Sequence, residues 1–194
     1  SYTEDNDALR RDYPNCKHGL VIALNNADVN GTKVAPFANS RDFFYGSWFT
    51  TDEDWMGKFI SSETRDPLPG ILGYNNAVLM ENSPNKTLAC DGALNYINAY
   101  RTAVPVPASA CEWFLPSLLA DLVDVVSTVN TKIAAAGGEE LIENGGNGSR
   151  YWSSNERPGN SYVVYQHNLV SGGISTPYRS AGSTAGVFRM MLAF

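Results

Sequence analysis

Residues 151–156 read Tyr-Trp-Ser-Ser-Asn-Glu and follow a stretch rich in glycine and asparagine, where the chain changes character. Tyrosine and tryptophan favour extended structure, so the sequence predicts a strand over 151–153. Two later runs, 162–165 and 188–193, are also predicted strands. Between them lie residues that mark turns: Gly172, Gly173, Pro177 and Gly182. We therefore expect the last quarter of the chain to be rich in strands.

Working outward from this segment, two helices are predicted before residue 145. Ser83-Pro84 is a good helix start, with serine as the N-cap and proline in the first turn, and it predicts a helix over 84–99. The second helix is predicted over 116–136, because its leucines and valines fall on one stripe. Gly137-Gly138 is expected to end it.

The first third of the chain gives weaker signals. A short apolar run at 18–24 predicts a buried strand. Residues 32–72 are predicted to be mainly loops and short irregular pieces, packed by their aromatic side chains. A strand and loops, then two helices, then several strands make an α+β fold.

Three motifs together resemble one family in order and spacing. They are Glu112-Trp113-Phe114-Leu115-Pro116-Ser117, Tyr151-Trp152-Ser153-Ser154-Asn155-Glu156 and the final run 188–194. The chain resembles the C-type-lectin-like domains of bacterial surface proteins and phage receptor-binding proteins over residues 18–194. The resemblance implies two helices packed on a small twisted, mainly antiparallel sheet with many loops. Residues 1–17 would be an N-terminal arm or the end of a preceding region.

The sequence departs from the family pattern at three places. Asn155 stands where the family usually has threonine, and Phe188 and Met190-Met191 replace the usual valines. These exchanges keep bulk in a buried strand, so we expect the fold to tolerate them.

Charge and hydrophobicity indicate which partners and which location the chain is expected to have. The net charge of −6 argues against nucleic acid, because binding phosphates requires a basic surface. No run is long and apolar enough to span a membrane, so no direct membrane insertion is expected. The resemblance implies an extracellular place, on a bacterial surface or a phage virion. Ser1 begins no signal peptide, and the polar opening 1–12 suggests a cut inside a longer precursor.

Metal and catalytic motifs are weak or missing in the sequence. The Glu-Pro-Asn, Gln-Pro-Asp and Trp-Asn-Asp triplets of calcium-dependent lectins do not occur. Residues 26–31 copy the start of an EF-hand loop, but Phe37 stands where a bidentate glutamate is required, so we interpret the segment as a plain turn. No hydrolase, zinc-protease or phosphate-loop motif is present. We therefore expect no metal, no cofactor and no enzymatic activity.

The chain has three cysteines, Cys16, Cys90 and Cys111. Their spacing fits no zinc site. Either Cys90 and Cys111 pair, or the cysteines are buried free thiols.

Four residues are given structural roles. Trp113 and Trp152 are expected in the core, because each brings a large apolar body. Arg189 lies in an apolar strand and needs a partner, for which Glu156 is a candidate. His18 is interpreted as a structural histidine beside a buried strand.

The strongest candidate for a binding surface is the C-terminal part of the chain. From residue 157 onward it holds no Asp, Glu or Lys, so it should favour neutral or acidic ligands. Tyrosine, asparagine and arginine supply contact area and adaptable hydrogen bonds. The predicted ligand-binding residues are Asn155, Arg157, Asn160, Tyr162, Tyr165, His167, Asn168, Tyr178 and Arg179.

One branch of the family consists of variable proteins diversified by retroelements, in which mutated adenines never create Lys, Glu, Gln, Met or Trp codons. Between Arg157 and Arg189 only Gln166 falls outside the permitted set. The sequence is therefore compatible with diversification of residues 155–188.

Three functions follow in order of preference. The first is a calcium-independent adhesin that binds a host or cell-surface protein or glycan. The alternative is a structural domain of a surface or virion appendage without a ligand of its own. An enzyme is a distant third. The oligomeric state does not follow from the sequence.

Overall fold

A computed structural model describes residues 7–39, 72–84, 86–89, 91–117, 129–141, 150–156, 163–168, 173–175, 177 and 185–194. The helices in these parts of the chain are α1 (Ala8–Asp12), α2 (Leu72–Asn82), α3 (Lys86–Ala89), α4 (Asp91–Ala103) and α5 (Val129–Ala135). The strands are β1 (Leu20–Ile22), β2 (Val34–Ala35), β3 (Tyr151–Glu156), β4 (Val164–His167), β5 (Ile174–Ser175), β6 (Gly186–Val187) and β7 (Met191–Ala193). The chain is an α+β protein, as the sequence predicts.

Strands β1 and β7 pair antiparallel, with Leu20 opposite Ala193. The other edge of β7 forms backbone hydrogen bonds with the segment that contains Cys111 and Phe114. The Cys111 N–H donates to the Ala193 carbonyl at 2.9 Å, and Phe114 and Met191 exchange two backbone hydrogen bonds of 2.9 Å. We call β1 and β7 the closure sheet, because it joins parts of the chain that lie far apart in the sequence. The predicted strands at 18–24 and 188–193 are both present in it with narrower bounds. Strand β1 is not buried as predicted, because Leu20 and Ile22 are half-buried and Val21 is 41% exposed.

The second sheet has five strands in the order β2-β6-β3-β4-β5. Only the β3–β6 pair among these is parallel; the other three pairs are antiparallel. The register of β3 against β4 shifts between Trp152 and Glu156, which marks a bulge or irregularity. The strand predicted at 151–153 therefore runs three residues further, and the one predicted at 162–165 lies at Val164–His167.

Helix α2 lies where the sequence analysis predicts no helix. Its side chains are buried almost all round, and apolar residues alternate with Asn75 and Asn76, which are both fully buried. A helix without an exposed polar side shows no apolar stripe, which is why periodicity misses it. Of the region predicted as loops, 40–71 lie outside the described residues, and β2 lies within the remainder.

Helix α1 packs against α2. The Ala8 N–H donates to the buried Asn75 Oδ1 at 2.8 Å, and Ala8 and Leu9 are buried in the core. This part of the predicted arm is thus packed on the core that the other described segments form. The domain boundary at residue 18 stays a prediction.

Two helices lie in the range where one is predicted over 84–99. Helix α3 and helix α4 fall within it, residues 85 and 90 lie outside the described residues, and α4 continues to Ala103. The start of α4 lies against Phe37: the Ala93 N–H donates to the Phe37 carbonyl at 2.8 Å. A Cβ on Gly92 would meet the same carbonyl oxygen at 2.6 Å, so this close approach requires glycine.

The end of the second predicted helix is confirmed, but its start is not. Gly137 has a φ of 75°. Its N–H donates to the Ala134 carbonyl and the Gly138 N–H to the Ile133 carbonyl, each at 2.9 Å, which is a Schellman motif. Residues 116–117 are not helical, and 118–128 lie outside the described residues.

Both predicted core tryptophans are buried. Trp152 is fully enclosed, and its Nε1–H donates to the Ala35 carbonyl at 2.9 Å. The Trp113 Nε1–H donates to the Val104 carbonyl at 2.8 Å, and its ring meets the Tyr100 ring edge-on at 5.2 Å. Each indole thus has the hydrogen-bond acceptor that a buried tryptophan needs.

Arg189 is also in the interior, with 1% of its surface exposed. Its Nη1 donates to the Ala23 carbonyl at 3.1 Å and its Nη2 to the Glu139 carbonyl at 2.6 Å. Burial lowers the pKa of the guanidinium, while the Tyr151 hydroxyl and the Glu139 charge act in the opposite direction. These two backbone carbonyls are acceptors for the guanidinium, and the pairing of Arg189 with Glu156 stays a prediction. The Glu156 side chain lies outside what the structure describes.

Among the described helices, none combines the length and the apolar character required to cross a membrane.

Candidate functional site

The structure describes four of the nine predicted ligand-binding residues. Asn155, Tyr165 and His167 are buried, with exposed fractions of 3%, 5% and 5%, and Asn168 is half-buried. The others lie outside the described residues: Arg157, Asn160, Tyr162, Tyr178 and Arg179. The prediction required these residues to lie on the surface. Three of the four described positions are instead inside the protein.

Asn155 and Tyr165 come together in the β3–β4 pair. The Ser153 hydroxyl donates to the Tyr165 carbonyl at 3.1 Å, and the Asn155 N–H donates to the Ser153 Oγ at 3.3 Å. Asn155 lies within the register shift between β3 and β4. These polar groups therefore hold the irregular part of the sheet together.

His167 lies at the other end of the pair, opposite Tyr151 on β3 and Ile174 on β5. The next residue starts the turn to β5, and the Asn168 N–H donates to the Gly173 carbonyl at 2.8 Å. The structure thus separates His167 from Asn155 by the length of β3. The ligand-binding role of all nine residues stays a prediction.

A cleft that the sequence analysis missed lies beside Phe194, and we call it the Phe194 cleft. Its volume is about 420 Å³. Three segments line it: Asp12, Tyr13, Pro14, Asn15, Cys16 and His18, then Ala108 and Ser109, and finally Phe194. No single stretch carries its residues, so no sequence motif could have indicated it.

The walls of the cleft are held by backbone and ring contacts. The His18 N–H donates to the Phe194 carbonyl at 2.7 Å, and the two rings lie 6.2 Å apart. His18 is exposed, so its structural role comes from its backbone and not from burial of its ring. The Tyr13 ring meets the Tyr74 ring edge-on at 5.6 Å.

Asp12 is the charged group of the cleft. Arg11 donates to both of its carboxylate oxygens, at 2.7 and 2.9 Å, and the Tyr74 hydroxyl donates to Oδ2 at 3.2 Å. Burial raises the pKa of Tyr74 well above its usual range, and the Asp12 charge adds to this effect. Tyr74 therefore stays a neutral donor that fixes the carboxylate. Rings, an imidazole and a carboxylate can contact a polar ligand, but they form no catalytic arrangement.

A second, smaller cavity of about 80 Å³ lies between Arg101, Val106, Glu112 and Trp113. The Arg101 Nη1 lies 2.7 Å from Glu81 Oε1 and 3.4 Å from Glu112 Oε2, while its Nε donates to the Trp113 carbonyl at 2.7 Å. These contacts tie helix α4 to α2 through Glu81 and to the segment that follows α4 through Glu112 and Trp113. The arrangement is structural.

The segment with an EF-hand-like start is a hairpin turn. Asn30 and Gly31 have φ values of 53° and 82°, and Val29 and Thr32 exchange two hydrogen bonds of 3.0 Å. Positive φ at both central residues is the type I′ geometry that Asn-Gly favours. The Asp28 Oδ1 accepts from the Gly31 N–H at 2.6 Å, so this carboxylate serves the turn. In the described parts of the chain, no three His, Cys, Asp or Glu residues cluster as metal ligands would.

Comparison with known proteins gives three findings. No protein-family model matches the sequence. A Bacteroides ovatus protein with the provisional name fimbrium tip subunit Fim1C is 27% identical over 183 residues, which cover 90% of this chain and 33% of that protein. The chain thus spans about a third of the length of this relative.

The crystal structure of a fimbrial protein from Bacteroides ovatus has a similar fold. It aligns with a TM-score of 0.72 and 24% identity, covering 100% of this chain and 39% of that protein. The likeness therefore extends over the whole of this chain and concerns the fold.

Proposed function

We propose that this chain is a domain of a bacterial fimbrial subunit and serves mainly as a structural part of a surface appendage. The observation that carries the proposal is the similarity to the fimbrium tip subunit, which extends over 90% of the chain. A shared fold alone would not suggest a function. Similarity in sequence along nearly the entire chain gives the proposal its specific content.

The interior of the five-stranded sheet favours the structural role over the adhesive one. A contact surface needs exposed side chains, but Asn155, Tyr165 and His167 are buried. Their strands are joined by the Ser153 hydroxyl and by paired backbones. Polar residues in this part of the chain thus serve the fold, and the alternative of a structural appendage domain becomes the preferred one.

The proposed fold is of the C-type-lectin-like kind. Three features support this. Strands β1 and β7 pair antiparallel, and the motif at 112–117 lies directly against β7. The β3 motif occupies the centre of the second sheet. The phage-virion and retroelement hypotheses stay predictions, as does the adhesin reading of the nine residues.

The proposal is tested by locating the chain on cells. Antibodies raised against the purified chain are applied to the source bacterium and to a strain that lacks the gene, and bound antibody is imaged by immunogold electron microscopy. We expect gold particles on surface filaments of the parent strain only. Gold confined to the cell body, or appendages that carry no label, would overturn the proposal.

The same images separate a structural from an adhesive role. Loss of the gene should shorten, thin or remove the filaments if the domain is structural. A second strain carries alanine at Arg157, Asn160, Tyr162, Tyr178 and Arg179, the predicted contact residues outside the described part of the chain. Normal filaments in the deletion strain, with cell adhesion lost in both strains, would favour the adhesin.

A further inference from the structure

The segment that walls the Phe194 cleft carries a cysteine that the proposed function does not use. Cys16 is half-buried, packs against the core and is a free thiol in the structure. Its Sγ donates to the Ser109 carbonyl at 3.7 Å, and its N–H donates to the Tyr13 carbonyl at 3.0 Å. The turn formed by residues 13–16 thus directs the Cys16 sulfur towards the segment that contains Ser109.

A second free thiol lies two residues beyond Ser109. Cys111 is completely buried, and its Sγ accepts from the Ala193 N–H at 3.0 Å. Burial raises the pKa of Cys111 to about 11, and repulsion by a Cys16 thiolate acts in the same direction. Repulsion between like charges weakens with their separation, so this effect agrees with the contact of Cys16 with the segment that leads to Cys111.

We propose that Cys16 and Cys111 form a disulfide bond when the protein meets an oxidising environment. The bond would tie the 13–18 segment to the closure sheet and fix the wall of the Phe194 cleft. A place outside the cytoplasm, as the proposed function has it, supplies the conditions under which such bonds persist. The proximity of the two cysteines does not depend on the proposed function, since it is inferred from contacts within the chain.

The reaction is a thiol–disulfide exchange with a low-molecular-weight disulfide as the oxidant. Cys16 is the more accessible thiol, so its thiolate attacks one sulfur of the oxidant and releases the other as a thiol. The Cys111 thiol then loses its proton, and its sulfur attacks Cys16 in the mixed disulfide. The second half of the oxidant leaves as a thiol. Two protein thiols become one disulfide, and the oxidant is reduced to two thiols.

The bond should stabilise the fold through the chain that it closes. The loop between the two positions is long, because 111 − 16 gives 95 residues. Closing so long a loop restricts the unfolded chain strongly and should raise the Tm by about 10 °C for a protein of this size.

The rival partner is Cys90, which lies outside the described residues. The sequence alone allows Cys90 to pair with Cys111, in which case Cys16 would stay free. Single substitutions distinguish the pairs, because each removes one cysteine and leaves the other two.

The test uses the purified chain and its Cys90→Ser, Cys16→Ser and Cys111→Ser variants. Each is incubated with glutathione disulfide, alkylated, digested and mapped by mass spectrometry. We expect a peptide cross-linked through Cys16 and Cys111 in the wild type and in Cys90→Ser. Only free or glutathione-bound cysteines at 16 and 111, or a cross-link that involves Cys90, would overturn the proposal.

Thermal unfolding provides the second readout. Reduction should lower the Tm of the wild type and of Cys90→Ser, but leave that of Cys16→Ser unchanged. Cys111→Ser can fail to fold because Cys111 is buried, and Cys16→Ser at its half-buried position keeps the test valid. An equal Tm before and after reduction in the cross-linked wild type would contradict the stabilising role. Neither result depends on finding the chain on filaments.

Discussion

The closure sheet and the five-stranded sheet bury different kinds of side chain. Strand β7 is apolar throughout and all its residues are buried. In the five-stranded sheet, Ser154, Asn155 and Gln166 are buried to the same degree. Apolar residue type therefore coincides with burial in β7, but not in β1, where Val21 is 41% exposed. In the five-stranded sheet, polar residue type misleads about burial. The difference arises because buried polar groups are stable wherever they find hydrogen-bond partners.

The two sheets also differ in what their polar groups do. Near the closure sheet one charge, Arg189, donates to the carbonyls of Ala23 and Glu139. In the five-stranded sheet several neutral groups share the task, such as the Asn76 Nδ2–H that donates to the Ser154 Oγ at 2.9 Å. Near the closure sheet, the free energy of unfolding should therefore depend strongly on one charged residue. In the five-stranded sheet, it should depend a little on each of several neutral hydrogen bonds.

The largest expected effect is at Arg189. Arg189→Ala removes two hydrogen bonds and leaves a cavity and unpaired carbonyls in the core, so it should lower the free energy of unfolding by about 3–5 kcal/mol. Urea unfolding followed by circular dichroism measures this value. Arg101→Ala is the matched control on a partly exposed arginine and should cost about 1 kcal/mol. Equal losses of unfolding free energy in the two variants would contradict the view that stability near the closure sheet depends mainly on Arg189.

The next effect tests the burial of a predicted contact residue. Tyr165→Ala empties a site in β4 that is 5% exposed, so the free energy of unfolding should fall by about 3 kcal/mol. Asn168→Ala, at the half-buried neighbouring turn, should change it by less than about 1 kcal/mol. Thermal and urea unfolding of the two variants measure the difference. A Tyr165→Ala variant as stable as the wild type would place Tyr165 on the surface after all.

A smaller effect is expected from the neutral hydrogen bond between α2 and β3. Ser154→Ala leaves the buried Asn76 donor without this acceptor and should cost about 1–3 kcal/mol. In the double variant Asn76→Ala, Ser154→Ala the loss should be less than the sum of the two single losses, because the two side chains interact. A double-mutant cycle in urea gives the coupling, and strict additivity would show that this bond contributes nothing.

The smallest effect concerns pH. Desolvation disfavours the charged form of Glu139, but hydrogen bonds from Lys33 and the Asn26 N–H outweigh it and lower its pKa below 4.5. A carboxylate with a lowered folded pKa contributes stability above its unfolded pKa, and this contribution disappears as the pH falls through the folded pKa. Glu139→Gln should therefore be less stable than the wild type at pH 7, with the gap narrowing below pH 4.5. Urea unfolding of both proteins at pH 7 and below pH 4.5 measures the difference in stability. A difference that does not change with pH would contradict the lowered pKa of Glu139.

Much of the fold followed from local signals. Local patterns predicted the strands at 18–24, 151–153 and 188–193, the double-glycine end of α5 and the core tryptophans, because each depends on a local preference or on apolar bulk. Helix α2 was not readable, since its buried asparagines interrupt any apolar stripe.

The candidate sites show the limit more sharply. Tyr165 and Asn155 have the composition of a binding surface but lie in the interior. The Phe194 cleft draws on three segments that only the folded chain brings together.

By itself the sequence determined the α+β class, the two strands of the closure sheet and a turn at 26–31, since these rest on short-range preferences and on apolar patterning. The tertiary structure alone decided which polar residues are buried, which groups hold Arg189, and which segments line the Phe194 cleft. The reason is physical: a polar side chain is stable inside or outside a protein depending on its hydrogen-bond partners, and those partners come from distant parts of the chain.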